Sequence, residues 1–266
     1  MLFRSEILHD RAAPVSNGPH LSFSRINRYL LCPEQYRLYY VENLRPAIPS
    51  ANLVFGKLVH ESLAALFRDG TDPAEHFSAS WNVAKGEELD YSSKDSWEKL
   101  NTAGQSLLEK FVKEDLARLS NVRAAEEAFE LNVTSLDVPL VGIIDLVADL
   151  DGKTTVVDFK TSASTYKPHE VRLSDQLTSY QLAHPDVRQS ALCVLVKTKE
   201  PKIEWHVATR TGSQLLEFLS KAKIVAQEVS NERFYKRPGI WCTWCDYLPV
   251  CLGDEQKVKH GFVQIG

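Results

Sequence analysis

Three charged residues stand where a buried strand normally carries none. Residues 140–161 run Leu140-Val-Gly-Ile-Ile-Asp145-Leu-Val-Ala-Asp-Leu-Asp151-Gly152-Lys-Thr-Thr-Val-Val-Asp158-Phe-Lys160-Thr161. Two apolar, β-branched runs flank Asp151-Gly152, a strong signal for a hairpin turn. Charges inside such runs are unusual unless they are paired or bound to metal. Asp158 and Lys160 are two residues apart and share a face, roughly 7 Å apart along the strand. Pairing through the turn brings Asp145 toward them. Two carboxylates and an ammonium converging in a sheet suit a Mg²⁺ site with a catalytic lysine. An internal salt bridge, or a register that sends Asp145 and Asp158 to opposite faces, accounts for the same residues without chemistry.

A second constellation lies near the C-terminus, in Trp241-Cys242-Thr-Trp-Cys245-Asp-Tyr-Leu-Pro-Val-Cys251. A tetrahedral site needs a fourth thiolate, from Cys32 or Cys193. Cys193 sits in Ser190-Ala-Leu-Cys-Val-Leu-Val196, an apolar strand pattern in which a thiol behaves as a small hydrophobe. Cys32 precedes Pro33 at a helix break, where the backbone can bend toward a metal, and is the better candidate. Four thiolates suit an iron–sulfur cluster or structural zinc, and spacing does not choose between them.

The elements that position these groups follow from periodicity. Two short helices are expected from Leu21, capped by Ser22 or Ser24 and reopened by Pro33. Helices follow at about 53–67, which carries His60, and at about 73–84 and 95–119. Strands are expected near 124–133, 138–149 and 154–160, a helix at 172–183, strands near 190–197 and 202–208, and a helix at 212–229. Helices first and a mixed sheet afterwards make an α/β fold with an N-terminal helical elaboration. Residues 1–20 read as a flexible segment. Residues 21–252 read as one domain, helical to about 120, then a sheet to about 210, then a helix and cysteine loop. Residues 253–266 read as a mobile polar tail.

The chain has 266 residues, with 31 Lys+Arg against 35 Asp+Glu, a net charge of −4. A nucleic-acid partner would therefore meet a local groove rather than a global basic field. No signal-peptide or membrane-span pattern is present, so a cytoplasmic protein without membrane attachment is expected. Five cysteines in that setting suit ligands or core thiols better than disulfides.

With both constellations placed, the chain resembles the PD-(D/E)XK nuclease superfamily. More narrowly it resembles the branch of RecB-type domains and the CRISPR-associated adaptation nuclease, many of which carry an iron–sulfur cluster. Leu21-Ser-Phe-Ser-Arg-Ile26 and Cys32-Pro33 are similar to that branch's opening helix. Phe55-Gly-Lys-Leu-Val-His60 resembles its metal-binding histidine helix, and Gly142-Ile-Ile-Asp145 and Asp158-Phe-Lys160 its two acidic motifs. Gln176-Leu-Thr-Ser-Tyr180 resembles its Gln-x-x-x-Tyr motif, and the cysteine trio its cluster ligands. Together these cover residues 21–252 in order, with Ile144 in place of the superfamily's proline.

The resemblance implies a restriction-endonuclease-like sheet stapled by a four-cysteine cluster, and a metal-dependent deoxyribonuclease, an exonuclease acting on single-stranded DNA or duplex ends. It implies Mg²⁺ or Mn²⁺ held by Asp145, Asp158, His60 and the Phe159 carbonyl. Lys160 would orient or deprotonate water and stabilise the phosphorane. Cys32, Cys242, Cys245 and Cys251 would hold a [4Fe–4S] cluster, with structural zinc as the alternative. Gln176 and Tyr180 would contact DNA or support the metal, and the upstream glutamate would be Glu126, ahead of Glu127. Arg25, Arg28, Tyr29, Arg37, Tyr40, Arg233, Tyr235, Lys236 and Arg237 are candidates for a DNA groove. A non-catalytic DNA-binding or assembly module is the competing function. Helicase, recombination and CRISPR-adaptation partners are not distinguished by the sequence.

Overall fold

The computed structural model describes residues 18–187 and 189–265. Most of the segment read as flexible, residues 1–17, lies outside them. No helix among the described residues is long and apolar enough to cross a membrane. The chain divides into two compact units. One comprises Met1–Pro49, Glu130–Val141 and Leu219–Gly266, and the other Ser50–Phe129 and Gly142–Phe218.

In the first unit, α1 (Phe23–Leu31) is capped by Ser22, whose side chain accepts the Arg25 N–H. Cys32 breaks the helix in an extended conformation, and Pro33 opens α2 (Pro33–Tyr36), which widens into a π turn over Arg37–Val41. Pro33 suits a first helical position because its missing N–H would have no intrahelical partner there. Strand β1 (Leu44–Pro46) follows.

The second unit opens with α3 (Ala51–Asp69), α4 (Pro73–Ala84) and α5 (Trp97–Lys110). The single long helix expected over 95–119 is interrupted. A π turn at Phe111–Asp115 and a 3₁₀ turn at Leu116–Arg118 end it. There Phe111 is buried against Phe67 and Phe159, and the Trp205 indole donates to Asp115. Tertiary packing against the sheet thus overrides helical continuation.

The sheet strands are β2 (Leu119–Leu131), β3 (Leu140–Leu150), β4 (Lys153–Ser162), β5 (Gln189–Val196) and β6 (Lys202–Thr209), paired in that order. The β4–β5 pair is parallel, while β3–β4 and β5–β6 are antiparallel. This mixed five-stranded sheet flanked by helices is consistent with a restriction-endonuclease-like fold. Asp151 and Gly152 both have positive φ, 49° and 78°, as the tight β3–β4 turn requires.

Between β4 and β5 the expected helix at 172–183 is two helices, α6 (Pro168–Arg172) and α7 (Asp175–Ala183). Ser174 separates them because its hydroxyl accepts the Leu177 N–H and caps the second. Leu177 and Tyr180 of α7 pack with Leu192, Val194 and Ile144 in one buried cluster. Phe159 stacks on Phe67 of α3, with centroids 6.0 Å apart.

The chain ends with α8 (Gly212–Ser230), a 3₁₀ turn (Ile240–Trp244), α9 (Leu248–Leu252), α10 (Glu255–Gly261) and β7 (Phe262–Gln264). Within the segment read as a mobile tail, residues 255–264 form a helix and a strand. In the first unit β7 pairs antiparallel with β1, Leu44 opposite Gln264 and Pro46 opposite Phe262. A partner some 220 residues away satisfies backbone groups that the local sequence cannot.

Candidate active site

The β3–β4 ladder runs from Leu150↔Lys153 to Leu146↔Val157 and stops one pair short of Asp145 and Asp158. In place of the next backbone bond, the Phe159 N–H donates to Asp145 Oδ2 at 2.8 Å. The acids thus stand where the two strands part, and a side chain takes over the ladder's work. Phe159 enters the site through this N–H and through its ring, which is fixed by Phe67 and Phe111.

Helix α3 supplies His60, whose Nδ1 lies 3.2 Å from Asp145 Oδ2. One turn earlier, Gly56 lets the helix approach β4: a Cβ there would sit 3.3 Å from Thr161 Oγ1. Asp158 is 1% exposed. Its Oδ2 faces Lys160 Nζ at 2.8 Å, while Gln176 Nε2 donates to Oδ1 at 2.8 Å. Tyr180 OH accepts from the same Gln176 nitrogen at 2.8 Å and reaches Asp158 Oδ1 at 3.3 Å. Gln176 and Tyr180 are four apart on α7 and act as one clamp on Asp158. Of the two roles expected for them, support of Asp158 is the one their hydrogen bonds serve.

Burial pushes the Asp158 carboxyl above the usual carboxylate range. Lys160 opposes that shift and Asp145 adds to it. Burial also works to lower the Lys160 ammonium, but the Asp158 and Asp145 carboxylates outweigh it and hold the group above the usual lysine value. The two carboxylates thus favour the charged form of Lys160, which can donate to a growing negative charge. Burial raises Tyr180 well above its ordinary value, so its phenol stays protonated and can donate.

Two buried atoms of the site lack an aligned hydrogen-bond partner among the described residues, His60 Nδ1 and Asp158 Oδ2. Each instead faces one neighbour of opposite polarity, Asp145 Oδ2 for His60 Nδ1 and Lys160 Nζ for Asp158 Oδ2. An imidazole nitrogen and a carboxylate oxygen left this way fit the donor set of a divalent cation. Among the described residues, no three His, Cys, Asp or Glu side chains are gathered as a ready metal-holding group.

The glutamates of β2 divide their partners. Glu126, at φ 54°, pairs with Arg68 of α3 at 3.1 Å, and Glu127 pairs with His184 at 3.1 Å. Sequence reasoning missed Arg68, which no motif marks. It also missed Tyr166, whose charge environment includes both Lys160 and Asp158. Tyr166 lies in an irregular segment with no periodicity to single it out.

In the first unit, Cys32, Cys242, Cys245 and Cys251 all line one cavity of about 330 Å³. Cys193 is instead fully buried in β5. Gln35 Nε2 lies 3.5 Å from Cys245 Sγ, and burial raises the Cys245 and Cys251 thiols. Four sulfurs on one largely apolar cavity fit a Cys₄ donor set, although they are not drawn together as ligands are around a bound metal.

Several groove candidates have partners inside this unit. Arg25 lies over Tyr40 and Arg28 over Tyr39, Arg37 is paired with Glu34 and Glu42, and the buried Tyr29 donates to the Arg233 carbonyl.

A family model described as the PD-(D/E)XK nuclease superfamily matches residues 20–252. Among solved structures, a protein from Eubacterium rectale described provisionally as an exonuclease aligns with a TM-score of 0.51 at 13% identity, covering 80% of this chain and 79% of that one. A structure described as SSO0001 aligns over 95% of both chains at 14% identity, with a TM-score of 0.46. Curated proteins provide no match. The first likeness concerns the fold, and the second is too low to add to it.

Proposed function

This chain belongs to the PD-(D/E)XK nuclease superfamily, and from that premise we propose that it is a Mg²⁺- or Mn²⁺-dependent deoxyribonuclease acting on single-stranded DNA or duplex ends. The observation that carries the reading is the parted β3–β4 ladder, where Asp145 meets His60 and Asp158 meets Lys160, with His60 Nδ1 and Asp158 Oδ2 buried and without an aligned hydrogen bond.

Asp145, Asp158, His60 and the Phe159 carbonyl would hold a divalent cation, which would polarise the scissile phosphate and lower the pKa of water. The chain's own residues do the rest. Gln176 and Tyr180 hold Asp158 in one rotamer, and the Phe159 N–H does the same for Asp145. Lys160, kept charged, donates to the non-bridging oxygens as negative charge grows on the phosphorane. In this reading Glu126, close to α3 through Arg68, is the upstream carboxylate.

The four cavity cysteines are proposed to hold a [4Fe–4S] cluster as a structural staple, with zinc as the alternative. Their shared cavity supports either, and broad absorption near about 400 nm would identify the cluster.

The test is cleavage of end-labelled single-stranded and duplex DNA by wild type and Asp158→Ala, with Mn²⁺, with Mg²⁺ and with EDTA. Cleavage that needs the cation and falls to background in the variant is expected. Equal cleavage by the variant rules out this site. Mn²⁺ binding followed by electron paramagnetic resonance supplies a second readout, and should weaken in Asp158→Ala.

A further inference from the structure

We propose that the loop around the cysteine cavity is a strand-holding surface for single-stranded DNA, with Trp244 as its stacking platform. The inference deepens the nuclease reading and rests on it for the identity of the ligand.

Two tryptophans flank Cys242 and their environments differ. Trp241 is occupied: its indole donates to the Arg237 carbonyl at 2.8 Å, and its ring lies under the Arg237 guanidinium at 5.0 Å. The same ring folds back on Gly239, where an added Cβ would fall 2.3 Å from a ring carbon. Trp244 also lines the cavity but is 67% exposed, and among the described residues no aromatic, cationic or hydrogen-bonding partner engages its ring. Tyr235 is 57% exposed, and Ile240 and Leu252 are more exposed still. Trp244 and Leu252 line the same cavity, and large apolar side chains left together in water mark a binding surface more often than an accident of packing.

The charge around the patch identifies what covers it. From Arg233 to Cys245 the sequence carries Arg233, Lys236 and Arg237 and no Asp or Glu, in a chain of net charge −4. All three cations are exposed; Arg233 is paired with Glu228 at 2.8 Å, whereas Lys236 and Arg237 line the cavity. Lys236 donates to the Cys251 carbonyl and Arg237 to that of Leu30, which hold the two side chains at the rim. Unpaired bases offer flat π faces and a phosphate at every step, and so match an open indole on a cavity that Lys236 and Arg237 also line. In a duplex the base faces are already stacked, so the surface discriminates against it.

The experiment uses the full chain carrying Asp158→Asn, which prevents cutting, without added divalent metal. Binding of a fluorescein-labelled oligothymidylate of about 16 nucleotides is read by anisotropy across a salt series. Trp244→Ala should weaken binding about tenfold, the loss of one stacked base, without changing the slope against log salt. Trp244→Phe should restore most of the affinity, and blunt duplex binding should not change. Unchanged oligothymidylate binding by Trp244→Ala overturns the proposal. So does an equal loss on duplex, or no rescue by Phe. Intact DNA binding with a change in sedimenting mass would make the patch a contact with a second copy, which also overturns it. If wild type cuts no DNA while Trp244→Ala loses oligothymidylate, the nuclease reading fails and the strand-holding surface stands.

Discussion

Asp158 is a buried carboxylate with four neighbours that all bear on its charge. Gln176 and Tyr180 occupy Oδ1, Lys160 faces Oδ2, and burial raises its pKa, with Asp145 adding to the rise. Residues that orient a catalytic carboxylate typically contribute about 10–100-fold to metal affinity or activity. Tyr180→Phe and Gln176→Ala are therefore each expected to lower the cleavage rate by about that factor. The cation concentration giving half-maximal rate should rise as well, because the carboxylate is no longer held in place. A loss of rate at unchanged cation dependence would assign the pair to DNA contact instead. Lys160→Met should remove rate alone, since its ammonium is proposed to act on the phosphorane, and rate against cation concentration separates the two effects.

At the scale of elements, α3, α4 and α5 hold His60 against the sheet, and their packing is tight. A Cβ on Gly104 of α5 would lie 2.1 Å from a ring carbon of Phe77, which is fully buried on α4. Alanine has the better helix propensity by roughly 1 kcal/mol. Overpacking costs about 1–3 kcal/mol, so the clash outweighs the propensity and Gly104→Ala should lower the urea midpoint. The start of α3 is tied down by Asp95, which accepts from Asn52 Nδ2 at 3.1 Å and Ser92 Oγ at 2.6 Å. The Ser92 bond, with help from Asn52 and Lys197, holds the Asp95 carboxyl below its usual range. A depressed folded-state pKa contributes stability that is present above the unfolded value of about 3.9 and is lost as pH falls through the folded value. Asp95→Asn should therefore melt below wild type near neutral pH, and the two curves should converge in acid.

At the scale of the whole molecule, the first unit brings together the two ends of the described chain. The Tyr247 ring stacks on Phe262 with centroids 5.5 Å apart, and its hydroxyl donates to the Leu44 carbonyl at 2.7 Å. Removing residues 262–266 strips the partner strand from β1 and uncovers one face of Tyr247. A truncation after Gly261 should lower Tm by a few degrees, about 2–4 °C for each kcal/mol lost, as read by calorimetry. An unchanged Tm would mean that the β1–β7 pair contributes nothing.

What the sequence determined by itself was local. Asp151-Gly152 required a turn with two positive φ values, the Asp-x-Lys spacing put Asp158 and Lys160 near one another, and Ser22 and Pro33 set helix boundaries. Steric limits on φ and the period of side chains along a strand act within a few residues, so a pattern reveals them. Only the tertiary structure decided where the β3–β4 ladder parts, that Gln176 and Tyr180 turn to Asp158, and that Cys32 shares a cavity with the C-terminal trio while Cys193 does not. It also broke the helix after Lys110 and paired residues 262–264 with β1. Each of these depends on a partner far along the chain. Its free energy comes from burial and from satisfying backbone groups at a distance, which no local window of residues records.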